Sequence, residues 1–105
     1  MRGTQAFEDQ VIKDLQKTQD GVVQQVTVRT QSSTRTRLDV VGRARGTGAI
    51  RATEAKSSAT APLTKNQKKA FPEIESGGAV VVGNGKPGFP GGTVIPPTKV
   101  EVVRP

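Results

Sequence analysis

A chain of 105 residues with no cysteine and no histidine is expected to form one small domain over residues 1–105. Its composition excludes thiol nucleophiles, histidine bases, zinc sites built on imidazole or thiolate, and disulfide frameworks. The 16 lysines and arginines against 9 acids give +7 at pH 7 and a pI near 10.4, a balance that favours a polyanion such as DNA or RNA, although a merely solvated basic surface has the same composition.

Only 3 phenylalanines, with no tyrosine or tryptophan, are available for stacking single-stranded bases. No apolar run is long enough to span a bilayer, and no signal peptide opens the chain. The first apolar stripe is Phe7, Val11, Ile12 and Leu15 at helical spacing. It predicts a helix capped by Thr4, running to about Gln19 and closed by Asp20-Gly21. Glu8 falls inside this stripe, whereas Asp9 and Asp14 point elsewhere. A carboxylate on a packing face requires a partner, while one at the stripe's edge only favours the helix N-terminus; the spacing leaves both roles open.

Val22 to Thr30 and Thr34 to Gly42 read as a hairpin turning at Gln31-Ser32-Ser33. Arg43 to Gly48 is a basic turn, Ala49 to Ser57 a third strand, and Ser57 to Pro62 a small polar loop. Thr64-Lys65-Asn66-Gln67 has the capping-box pattern. It opens a helix that buries Ala70, Phe71 and Ile74, that Pro72 must bend or end, and that Ser76-Gly77-Gly78 closes. Ala79 to Val82 reads as a fully buried strand. Val100 to Val103 is a last short strand set off by Pro96-Pro97. The expected class is therefore α/β in the order αβββαβ, a small mixed sheet flanked by helices.

Gly83-Asn84-Gly85-Lys86-Pro87-Gly88 matches G-x-G-x-x-G after a strand. A dinucleotide loop must open a helix, which Phe89-Pro90-Gly91-Gly92 cannot begin. The segment reads as a surface loop in which Lys86 can touch phosphate.

Chemistry concentrates in Asp39 and the triplet Glu54-Ala55-Lys56. Alternation along a strand puts Glu54 and Lys56 on one face, and Asp39 joins them if the two strands pair. Adjacent carboxylates repel, and a hard divalent cation such as Mg²⁺ or Mn²⁺ relieves the repulsion. Two acids, a cation and a lysine suit phosphodiester hydrolysis. Arg37 shares the strand face of Asp39 and can clamp a phosphate. Gln67 shares the stripe of Ala70, Phe71 and Ile74, so it either closes the helix cap or faces this cluster.

Asp39 followed by Glu54-Ala55-Lys56 in an αβββαβ order resembles the PD-(D/E)XK, restriction-endonuclease-like nuclease superfamily. More narrowly, Arg37 to Gly42, Glu54 to Ser58, Ala61 to Gln67 and the tail from Gly85-Lys86-Pro87-Gly88 to Arg104-Pro105 resemble the C-terminal toxin domains of bacterial polymorphic toxins. These are the ends of Rhs-repeat, contact-dependent inhibition and type VI effectors. The tail is the most specific part of the match.

The resemblance implies a restriction-endonuclease-like core and a metal-dependent endonuclease, DNA favoured as substrate. It makes Asp39 and Glu54 metal ligands, Lys56 the catalytic lysine, Glu8 the helix acid and Gln67 the glutamine of the following helix. It further implies a secreted effector acting in the cytoplasm of a target bacterium and a cognate immunity protein, acidic by complementarity. Leu38 stands where the superfamily name has proline, a position that varies. Two other classes fit the residues: a metal-independent RNase toxin using lysine, arginine and acids, and a non-catalytic module binding nucleic acid or a partner.

Overall fold

The structure, a computed structural model, describes residues 2–105, with side chains from Ala6 onward. Helix α1 spans Arg2–Gln16 and turns Val11 fully inward, with Phe7, Ile12 and Leu15 half-buried, as the apolar stripe requires. The helix is already under way at Arg2, so it does not start at Thr4, whose side chain lies outside the described residues. It also ends before Gln19. Lys17 and Thr18 turn the chain through amide bonds to the carbonyls of Asp14 and Leu15, at 3.2 and 3.0 Å.

Gln19, Asp20 and Gly21 instead open strand β1 (Gln19–Arg29). Gly21, at φ +62°, lies in a register shift between Asp20 and Val23; the glycine makes a bulge rather than a helix stop. Arg45 fastens the end of α1 in its place. Its guanidinium donates to the carbonyls of Gln16 (2.7 Å) and Lys17 (3.1 Å) and to Asp20 Oδ1 (2.9 Å), a cation set at the negative end of the helix.

The remaining elements are β2 (Arg35–Ala44), β3 (Ile50–Ala55), α2 (Lys65–Gly77), β4 (Ala79–Val81), β5 (Gly85–Lys86), β6 (Phe89–Pro90), β7 (Val94–Ile95) and β8 (Val100–Val103). Six strands form one mixed sheet in the order β7-β4-β1-β2-β3-β8, and β5-β6 form a separate ribbon. All pairings are antiparallel except β3 with β8. The β1–β2 hairpin has the expected turn, and Glu73 of α2 pins it by accepting the hydroxyls of Thr30 and Ser32.

The segment after Val82 differs from expectation: three strands of two residues replace a plain loop. Too short to show a period, they are held by tertiary contacts. The Arg43 guanidinium lies 4.8 Å from the centroid of the Phe89 ring and ties the β5-β6 ribbon to β2.

Valines and a leucine of β1 and β2 (Val26, Val28, Leu38, Val41) meet Phe71 and Ile74 of α2 and Phe89 and Ile95 of the tail in one core. Helix α1 lies against β1 and β3, and α2 against β2 and β8. The predicted burial of Ala70, Phe71 and Ile74 holds. Helix α2 does not end at Pro72 but continues to Gly77. Pro72 and Lys68, the residue whose carbonyl loses its amide donor to the proline, are both exposed.

Gly78 closes α2 at φ +77°, its amide bonded to the carbonyl of Ile74 at 2.9 Å. A Cβ here would collide with the backbone oxygen of Ile95 in β7. Gly78→Ala is expected to cost about 1–3 kcal/mol from the backbone conformation alone, with the collision adding to it. Urea denaturation checks this, and an unchanged midpoint would show that the helix end is not held as described.

Candidate active site

The β2–β3 ladder pairs Val41 with Ala52 and Val40 with Thr53. The next step of that register sets Asp39 opposite Glu54. There Asp39 Oδ2 accepts the amide of Ala55 at 3.0 Å, so a side chain takes over a backbone donor at the end of the ladder. On the other side of β3, β8 runs parallel from Ala52–Val100 to Ala55–Val103, and the amide of Lys56 donates to the Val103 carbonyl at 2.9 Å. This end of β3 is thus braced from both sides, and Glu54 and Lys56 point the same way, as alternation along the strand requires, with Lys56 Nζ near the Glu54 carboxylate.

Glu54 is only 4% exposed. Its Oε2 accepts Gln67 Nε2 at 2.7 Å and lies 3.5 Å from Lys56 Nζ. Lys56 Nζ in turn donates to Gln67 Oε1 at 2.9 Å. Gln67 holds both of its expected roles at once. Its Oε1 accepts the amide of Thr64 at 2.9 Å, and its own amide donates to Thr64 Oγ1 at 3.1 Å, a complete capping box. Because Oε1 faces two donors, only Nε2 remains for the Glu54 carboxylate.

The other carboxylate oxygen, Glu54 Oε1, is buried without a hydrogen-bond partner. Burial, and next the charge of Asp39, push the Glu54 carboxyl above its ordinary value of 4.5, while Gln67 and Lys56 pull it down. Glu8, half-buried on α1, is raised by burial first, then by Asp39 and Asp9. Asp39 therefore stands in the field of both glutamates. Among the described residues, no three acids lie close enough to one another to hold a metal ion as they stand. Arg37 is exposed on the face of Asp39, and Lys86 is exposed on β5.

One support carries no mark in the sequence, and a second is only half visible there. Arg104, one basic residue among 16, donates from Nη1 to the carbonyls of Ser58 (3.1 Å) and Ala61 (2.5 Å), bracing the loop between Lys56 and the α2 cap. The backbone amide of Thr64 orients Gln67, and a capping-box pattern predicts that bond without revealing what lies beyond it.

Gln67→Glu separates the two roles of this side chain, since glutamate also closes a capping box but offers no donor to Glu54. The two carboxyls then raise each other's pKa. A raised carboxyl favours the folded state at low pH and withdraws that support as pH rises through its folded value. The variant should match the parent near pH 4 and fall increasingly below it toward pH 8 in thermal unfolding. Thr64→Ala should instead cost about 1 kcal/mol with little pH dependence. A flat profile for Gln67→Glu would remove Gln67 from contact with Glu54.

Comparison of the chain with protein-family models, with curated proteins and with solved structures gives no match.

Proposed function

We propose that this chain is a metal-dependent endonuclease toxin domain with a restriction-endonuclease-like core, cutting phosphodiester bonds of nucleic acid, DNA foremost. The observation that carries the proposal is the buried Glu54 carboxylate, bonded to Gln67 and Lys56 through one oxygen, unpartnered at the other, and faced by Asp39. The +7 charge supports a polyanionic substrate. The toxin setting rests on the resemblance of the motif and tail. It brings with it delivery into the cytoplasm of a target bacterium and an acidic immunity protein covering the basic surface around Arg37, Lys56 and Lys86.

The residues suit a hard divalent cation. The donors are carboxylate oxygens, one of them buried without a partner; burial and, next, the charge of Asp39 raise the pKa of both glutamates, and a cation offsets that repulsion. Asp39, Glu54 and, from α1, Glu8 would hold Mg²⁺ or Mn²⁺. When bound, such an ion polarises a phosphoryl oxygen and makes a water more acidic. Lys56 contributes a fixed ammonium that orients the attacking water or offsets charge developing at phosphorus. Gln67 keeps that ammonium and the Glu54 carboxylate in register. Arg37 holds a flanking phosphate.

The deciding experiment incubates the protein with plasmid DNA and with total RNA, with Mg²⁺ or with EDTA. Mg²⁺-dependent cutting of DNA is expected. Cutting of RNA alone in EDTA would replace the proposal with a metal-independent ribonuclease, and binding without cutting would replace it with a binding module. Lys56→Ala should lower the cutting rate by about 10²–10³-fold, and Asp39→Ala or Glu54→Ala should abolish it. Full activity in a folded variant of either acid would sink the site.

A second prediction needs no substrate. Because the folded Glu54 carboxyl lies above 4.5, its contribution to the stability of the cation-free protein is lost as pH rises from that value through the folded one, and Glu54→Gln should lack that component while keeping the one from Glu8. Mg²⁺ should raise the parent's thermal midpoint at neutral pH by roughly a few degrees and leave Glu54→Gln unmoved. Glu8→Gln should weaken that Mg²⁺ response and the cutting rate together. An equal Mg²⁺ response in all three proteins would place the cation elsewhere.

A further inference from the structure

Beside Asp39, the hairpin of β1 and β2 carries a polar face of which the proposed site uses only Arg37. The register pairs Thr27 with Arg37 and Arg29 with Arg35, and sets Gln25 opposite Asp39, between the pairs Gln24–Val40 and Val26–Leu38. Cross-strand partners share a face, and like charges directly opposite are unfavourable. Among the described residues the ion pairs are Lys17–Asp14, Arg45–Asp20 and Lys56–Glu54. Arg29, Arg35 and Arg37 belong to none of them, so this face concentrates positive charge without an internal partner.

Gln25 is itself unusual. It sits at φ +58° inside a strand, where the ladder shows no register shift. That conformation is disfavoured for any residue with a Cβ and open to glycine at no steric cost. A glutamine held there points to use of its side chain. It lines a cavity of about 320 Å³ together with Thr27, Arg35 and, from the segment before and within β5, Asn84 and Lys86. The lining thus brings together two carboxamides, a hydroxyl, a guanidinium and an ammonium, with no acid among these groups.

We propose that this cavity is a nucleotide subsite of the substrate strand, adjoining Asp39, an assignment that rests on the nuclease function proposed above. Arg35 and Lys86 hold the phosphate, the first through a planar fork and the second as a point charge. Gln25 and Asn84 present paired donors and acceptors to a base edge, the chemistry by which carboxamides distinguish bases. The volume lies at the small end of ligand pockets and suits a single nucleotide. With aromatic platforms scarce, recognition here is by hydrogen bonds rather than stacking.

The test measures binding of fluorescein-labelled DNA oligonucleotides, homopolymers of each base and a mixed-sequence duplex, by anisotropy across a salt series. It uses the unaltered chain and its variants in EDTA, with thermal unfolding in parallel. Gln25→Gly relieves the backbone and removes the side chain. Its thermal midpoint should hold or rise, its preference among bases should flatten with about a ten-fold loss for the favoured one, and its salt slope should stay unchanged. Arg35→Ala and Lys86→Ala should weaken every sequence alike and each lower the slope of log K against log salt by about 0.7–0.9.

If Gln25→Gly and Arg35→Ala bind as the parent does while the parent cuts DNA in Mg²⁺, the subsite is overturned and the nuclease stands. If the variants weaken binding as described and the parent cuts nothing, the subsite stands and the nuclease falls. A parent that binds no oligonucleotide overturns both.

Discussion

Burial of the Glu54 carboxylate is the constraint on which the rest of the site depends. An ionised acid removed from water is costly unless its oxygens are satisfied, and here only Oε2 is. Asp39 adds a like charge on the neighbouring strand. The usual outcome for such a group is neutralisation, and the raised carboxyl moves in that direction. Lys56 and Gln67 oppose it, keeping within reach a negative charge that the surrounding protein otherwise resists. In a domain of this size, whose total stability is on the order of 10 kcal/mol, such a group is a large concession.

The elements around Glu54 follow from that concession. The ladder between β2 and β3 gives way at Asp39, whose side chain supplies the acceptor that backbone would otherwise provide. The cap of α2 does two jobs with one amide. Closing the helix N-terminus uses Gln67 Oε1, and that choice turns Nε2 toward Glu54. Helix start and site geometry are therefore one arrangement, and neither can be redesigned without the other. Farther off, Arg45 ties the end of α1 to the turn after β2, and so fixes the helix that carries Glu8.

Much of this was legible in the chain. Two strand-like runs on either side of Gln31-Ser32-Ser33 located the hairpin, the capping pattern located α2, and E-x-K spacing put Glu54 and Lys56 on one face. Other features were hidden for physical reasons. Asp20-Gly21 has the composition of a helix stop and of a bulge alike, and only pairing with Arg43 and Ala44 of β2 decides between them. Pro72 reads as a breaker but lies on the exposed side of α2, where a lost amide is tolerated. Two-residue strands such as β5 to β7 have no period to detect. The buried, half-satisfied state of Glu54 is a tertiary property: local sequence shows an acid in a strand, not its environment.

The parallel pairing of β3 with β8 has a temporal side. Ala52 meets Val100, and the amide of Lys56 is held by the carbonyl of Val103, so the edge of the site is supplied by residues made about half a chain later. Contacts so distant in sequence form slowly, because the loop between them must close first. On the ribosome, a chain that has already exposed Asp39, Glu54 and Lys56 still lacks the strand that braces them. The side chains of the candidate site are therefore present well before the scaffold that aligns them.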